Sequence, residues 1–81
     1  MTPEDIKPGH FYSNGAYGRA WGVRMILEQS MDAETGEDTV SFKGTAGICR
    51  RKQGFCSLGE FASWAKYEVA LNENSWQRVG S

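Results

Sequence analysis

The sequence lacks most of the features from which a protein's chemistry is read directly. It has one histidine, two cysteines and two prolines in 81 residues, and nine basic and ten acidic side chains leave a net charge of −1. A zinc site needs four close ligands, and the six residues between Cys49 and Cys56 match no zinc motif, so neither a metal nor a cofactor is expected. A nearly neutral chain has no overall basic field, so a nucleic acid would have to bind a local basic patch.

Long apolar runs are also missing. The longest apolar tract, from Val23 to Leu27, is interrupted by Arg24 and falls far short of the roughly 20 residues that cross a bilayer. The first seven residues show neither the basic nor the apolar region of a secretory signal. Two cysteines are too few for the disulfide framework of a small secreted domain, although a chain that folds back would allow them to pair. We therefore expect a cytoplasmic protein without a membrane partner and with reduced cysteines.

The composition nevertheless predicts a folded chain. Hydrophobic residues make up 40% and aromatic residues 12% of the sequence, which is too apolar for intrinsic disorder. A chain of this length forms one domain, here residues 1–81. The ten aromatic side chains bury large areas at little cost in rotamer entropy, which is how so short a chain would close a core.

Glycines divide the chain into short segments that mostly alternate between apolar and polar residues, as strands do. The predicted strands cover residues 10–13, 19–28, 39–43, 45–50 and 76–79, and a polar loop covers 32–38. Ser57 and Glu60 have capping-box spacing and predict the start of a helix. The helical stripe consists of Leu58, Phe61, Ala62, Ala65 and Val69. The order β-β-β-β-α-β predicts an α+β fold, in which a small curved antiparallel sheet or SH3-like partial barrel is capped by one helix.

Two charged segments are candidate binding sites. The acidic set lies in the loop after Met31 and consists of Asp32, Glu34, Glu37 and Asp38. Its order does not match a calcium-binding EF-hand loop. It is either a solvated hairpin tip or a negative surface that docks onto a basic site, such as a phosphate-binding channel. Trp64 and Tyr67 lie off the centre of the helical stripe, and one of them is expected to stay exposed as an interface anchor.

The second segment, which we call the basic set, combines one aromatic residue with four cations: Tyr17, Arg19, Arg50, Arg51 and Lys52. Cations beside exposed aromatic rings are what a single-strand binder uses, because rings stack on bases and cations neutralise phosphates. The alternative is ordinary surface charge paired with nearby acids. The three consecutive cations form one patch only if they lie in a loop, since a strand would point Arg51 away from its neighbours.

Catalysis is not expected. His10 is the only histidine, and the sequence sets no nucleophile and carboxylate at a spacing that would form a triad with it.

Several short motifs spread over most of the chain resemble small proteins encoded by phages and prophages. They are Lys7-Pro8-Gly9, Asn14-Gly15, Trp21-Gly22-Val23-Arg24, Cys56-Ser57 and Phe61-Ala62-Ser63-Trp64-Ala65. The resemblance implies a small-barrel architecture and a non-enzymatic protein that acts in a bacterial host cell. Such proteins commonly bind and block a host enzyme or a defence complex, as anti-CRISPR inhibitors do. We therefore expect an inhibitor that binds a host complex, with a small SH3-like nucleic-acid-binding module as the alternative and homodimerisation left open.

Overall fold

The computed structural model describes residues 1–79 and contains six strands, one α-helix and two short 3₁₀ helices. The strands are β1 (Phe11–Ser13), β2 (Gly22–Met31), β3 (Asp38–Gly47), β4 (Gln53–Ser57), β5 (Tyr67–Asn72) and β6 (Ser75–Arg78). The helix α1 spans Leu58–Trp64, and the 3₁₀ helices span Pro3–Asp5 and Gly18–Ala20. All strand pairs are antiparallel and form one sheet in the order β4-β3-β2-β1-β5-β6. The α+β class, the antiparallel sheet and the single helix are thus confirmed.

The helix begins as predicted but ends earlier. The Ser57 side chain accepts a hydrogen bond from the backbone N–H of Glu60 at 3.1 Å, which is the expected N-cap. The chain turns extended at Ala65, and the Lys66 N–H donates to the carbonyl oxygen of Ser13. Val69 was assigned to the helix, which is wrong: it lies in β5 opposite Phe11. The helix ends because residues 67–69 form ladder hydrogen bonds with the free edge of β1, and a continued helix could not make these bonds.

The predicted strand over 45–50 is also wrong. β3 continues through Gly44 as far as Gly47, residues 48–51 form a turn, and the next strand is β4. Gly47 and Arg51 both have positive φ, so the backbone reverses where alternation alone indicated an extended segment. The final order is therefore β-β-β-β-α-β-β, with one strand more than the sequence predicts.

The main core lies between one face of the sheet and α1. Phe61 is fully buried, and its ring meets Tyr12 edge-on with centroids 5.7 Å apart. Ile26 and Val40 come from the sheet, and the buried residues of the helical stripe pack against them. The Tyr12 hydroxyl donates to the carbonyl oxygen of Asp5 and accepts from the N–H of Lys7, both at 2.8 Å, which fixes the N-terminal segment on the core. Burial raises the pKa of Tyr12.

The turn after β3 depends on close backbone contact at Gly44. A Cβ atom at this position would fall on the carbonyl oxygen of Cys49, whereas a Cβ atom at Gly59, in α1, would have no neighbour within 4 Å. Gly44→Ala should lower the free energy of unfolding by about 1–3 kcal/mol through steric strain. Gly59→Ala should raise it by roughly 0.5–1 kcal/mol, because alanine has the better helix propensity. Urea unfolding of both variants tests this, and equal midpoints would contradict the described turn.

Candidate macromolecule-binding surfaces

The register of the long β2–β3 hairpin separates acidic from basic side chains. The hairpin runs from the pair Gly22–Gly47 at one end to the pair Met31–Asp38 at the other. Ten residues at about 3.3 Å each place these ends roughly 30 Å apart, within a molecule whose longest dimension is 41 Å. We call the predicted acidic set at the far end (Asp32, Glu34, Glu37 and Asp38) the acidic tip. We call the predicted basic set (Tyr17, Arg19, Arg50, Arg51 and Lys52) the basic end.

The acidic tip is an ordered turn. Asp32 accepts a hydrogen bond from the Glu34 N–H through its side-chain Oδ1 at 2.8 Å and from the Gly36 N–H through its carbonyl oxygen at 2.7 Å. The Thr35 hydroxyl accepts from the N–H of Glu37 at 3.2 Å. Asp32 therefore has a structural role, while the other tip carboxylates point their charge into solvent.

The tip carries its negative charge without neutralisation by the rest of the described chain. All four of its carboxylate residues are exposed. Within residues 1–79 the one contact between a carboxylate and a basic side chain within 4 Å joins Glu68 to His10, outside the tip. The same residues contain no group of three or more His, Cys, Asp or Glu side chains arranged to hold a metal ion.

The fold gathers the basic end from two distant parts of the chain. The Ile48 N–H donates to the carbonyl oxygen of Trp21 at 2.9 Å, which ties the turn containing Arg50 to the short helix containing Arg19. The consecutive cations Arg50, Arg51 and Lys52 follow β3 outside any strand, as a single patch requires. Tyr17 is 92% exposed at the same end.

Sequence reasoning missed one cation at this end. Lys43, on β3, lines a shallow pocket of about 280 Å³ together with Gly44, Arg51, Lys52 and Gln53. Among the described residues no carboxylate lines this pocket, so its three cations have no counter-charge in its wall. The only indication in the sequence is that Lys43 follows Phe42 in an alternating strand. Nothing there shows that the later turn folds back beside it.

Trp64 and Tyr67 do not lie at the acidic tip. Both are half-buried, so neither is the fully exposed anchor that the sequence suggested for one of them. The Arg24 guanidinium lies 4.2 Å from the Trp64 ring centroid and 4.5 Å from that of Phe42. Arg78 lies 4.9 Å from the ring of Tyr67. Each predicted anchor is thus engaged by an arginine of its own chain.

His10 contacts a carboxylate at the surface. Its Nδ1 lies 3.2 Å from Oε1 of Glu68, with 45% and 24% of the two side chains exposed. Glu68 also lines a pocket of about 300 Å³ whose wall carries both signs of charge, from Asp5, Lys7, Lys66 and Arg78. A contact this exposed is a solvated pair that contributes little to stability.

Comparison of the chain with protein-family models, with curated protein sequences and with solved structures found no match. No helix within residues 1–79 combines the length and apolar character that a membrane span requires. The surfaces described above are therefore the basis for assigning a function.

The two cysteines are free thiols in protected positions. Cys49 is buried and Cys56 is half-buried, and desolvation raises the pKa of Cys56 above its ordinary value. Because the thiolate is the nucleophile, a raised pKa and burial both slow alkylation. At pH 8, iodoacetamide should modify the folded protein on the order of tenfold more slowly than the urea-unfolded chain. Mass spectrometry of timed samples measures this, and equal rates would show that the thiols are not protected.

Proposed function

We propose that this is a non-enzymatic binding protein whose acidic tip docks onto a basic site of a host macromolecular complex and blocks or redirects it. The observation that carries the proposal is an ordered turn at the end of a long hairpin, bearing carboxylates that no cation of the described chain neutralises. A negative surface of this kind is complementary to a site that binds a phosphate backbone.

The geometry of the tip favours docking in two ways. Its turn is held by hydrogen bonds within residues 32–37, so little conformational entropy is lost when it is bound. Its charge is concentrated about 30 Å from the basic end, so a cationic site would attract the tip first and orient the approaching molecule. Both features act through the surface and require no reaction at the site.

The class of target follows from this chemistry. A competitor for a phosphate-binding channel would be effective against a nucleic-acid enzyme, and the resemblance to small phage proteins makes a bacterial defence complex such as CRISPR-Cas the first candidate. The location in the bacterial cytoplasm belongs to the same proposal, because such targets are cytoplasmic.

Removing the tip's charge should abolish docking without unfolding the protein. The variant Glu34→Gln/Glu37→Gln/Asp38→Asn keeps Asp32, which holds the turn. A matched control, Glu60→Gln/Glu68→Gln/Glu73→Gln, removes the same charge from positions outside the tip. Wild type and control should each capture a stoichiometric host complex from nuclease-treated bacterial lysate, and the tip variant should lose at least tenfold in affinity. Unchanged affinity of the tip variant would contradict docking through the tip.

A second candidate function is favoured by the convergence at the basic end. Tyr17 offers an exposed ring for stacking, and the cations around Arg51 and Lys52 offer contacts for phosphates, as in single-strand binders. Under this alternative the protein is a small nucleic-acid-binding module, and its basic end contacts the ligand while the acidic tip points away from it.

Binding to single strands should then weaken steeply with salt. Arg51→Ala/Lys52→Ala should lower the slope of log affinity against log salt by about 1.4, since each phosphate contact in a single strand contributes about 0.7. Lys7→Ala, which removes a cation far from the basic end, is the control. Gel shifts with single-stranded DNA and RNA over a salt series measure both effects. Absence of any shift at low salt would eliminate this alternative.

A further inference from the structure

The sheet face that points away from α1 carries apolar side chains, some of which are buried and some of which are exposed. Strand neighbours alternate between faces: Tyr12 enters the core, so Phe11 points to the opposite side together with its partners Met25 and Val69. We call this opposite side the open face. By the strand register its large apolar residues are Phe11, Val23, Met25, Phe55, Tyr67, Val69, Leu71 and Trp76.

Several of these side chains lie close together around Phe11. Its ring lies 5.1 Å from that of Trp76, and Val69, which pairs with Phe11, is 4% exposed. Phe55 and Leu71 remain 79% and 55% exposed on the same face. A contiguous exposed apolar patch on a sheet marks an interface more often than isolated exposed residues do.

The size of the molecule limits what the open face can bury. A stable interface buries about 800 Å² per partner, and the two longer dimensions of the molecule, 41 and 26 Å, leave room for an interface of that order. A second copy also offers the same apolar patch, which makes the surface self-complementary. A short chain with a small core gains stability from such burial.

We propose that the open face is the interface of a homodimer in which the two acidic tips point in opposite directions. When two identical faces meet, the two-fold axis lies in the interface and runs either along or across the long strands. An axis along the strands would place one acidic tip beside the other, which is repulsive. An axis across the strands places each acidic tip beside the basic end of the partner subunit.

The charges on the open face itself select the same arrangement. Glu28 lies opposite Ser41 on the tip side of the bulge at Leu27, and Lys43 lies opposite Met25 on the other side of it. Arg78, opposite Val69, lies on the same side of the bulge as Lys43. An axis that crosses the strands near Leu27 therefore brings Glu28 against Lys43 of the partner subunit.

The dimer depends on the open face and not on the proposed function. In this arrangement the acidic tip lies beside the basic end of the partner subunit, so self-association and docking onto a target compete. A monomeric variant should therefore retain or improve its binding to a target. The oligomeric state tests the dimer and target binding tests the proposed function, so the failure of one proposal can be distinguished from the failure of the other.

A charge-swap experiment tests the orientation. Sedimentation equilibrium should show a dimer of the wild-type protein at 0.1 M salt, and Glu28→Lys or Lys43→Glu alone should raise the dimer dissociation constant about tenfold or more. The double swap Glu28→Lys/Lys43→Glu should restore it to within a few-fold of wild type, because opposite charges again face each other. In the parallel arrangement Glu28 would face its own copy and the double swap would not restore binding.

A second pair of variants tests the apolar contact. Leu71→Glu should make the protein monomeric, whereas Ile48→Glu, at a residue with 49% exposure in the turn after β3, should not. Circular dichroism verifies that both variants fold. Three results would each overturn the proposal. The wild-type protein could remain monomeric up to about 1 mM, or the dimer could survive Leu71→Glu. The third result is that the single swaps weaken the dimer and the double swap does not restore it.

Discussion

β2 and β3 pair along the whole of their ten-residue lengths, and this register determines how the acidic tip lies relative to the basic end. It places one turn of the molecule at the acidic tip and the opposite turn at the basic end. Two bulges adjust the pairing without reversing it, one beside Val23 and one at Leu27. Because side chains alternate along a strand, the same register sends Ile26 into the core and leaves the open face apolar. The candidate binding surfaces are thus consequences of one strand pairing.

The core opposite this hairpin rests on few residues. Phe61 contacts Tyr12, Phe42 and Trp64, and Tyr12 in turn holds the N-terminal segment through its hydroxyl group. The main core lies on the α1 side, so the rigidity of the hairpin beyond it depends on ladder hydrogen bonds and on the turn at Asp32. A hairpin of this kind presents its tip well away from the packed body.

Local patterns in the sequence predict the parts of this fold that depend on local physics. The alternation of apolar and polar residues predicts the strands around Tyr12 and Val23, and the capping residue Ser57 predicts where the helix begins. Two errors arise where tertiary contact decides. Val69 has helical spacing but pairs with Phe11, and Gly44, which was expected to end a strand, instead makes room for the carbonyl oxygen of Cys49.

The candidate sites divide in the same way. The residues of the acidic tip are close together in the sequence, so the sequence alone identifies them as an acidic set. It does not show that they form an ordered turn. The basic end joins Tyr17 to Arg51 through a backbone contact at Trp21, and no local pattern encodes that contact. Lys43 and the open face were missed for the same reason, since both depend on which strands become neighbours.

The central claim is that the protein engages its target through the acidic tip, and hydrogen exchange followed by mass spectrometry tests it most directly. Exchange of the free protein is compared with exchange of the protein in the captured host complex. At a concentration where the free protein is monomeric, the account predicts new protection at residues 31–38, with residues 48–52 and 17–20 unchanged. Protection confined to residues 48–52 and 17–20, with the tip exchanging as fast as in the free protein, would contradict it.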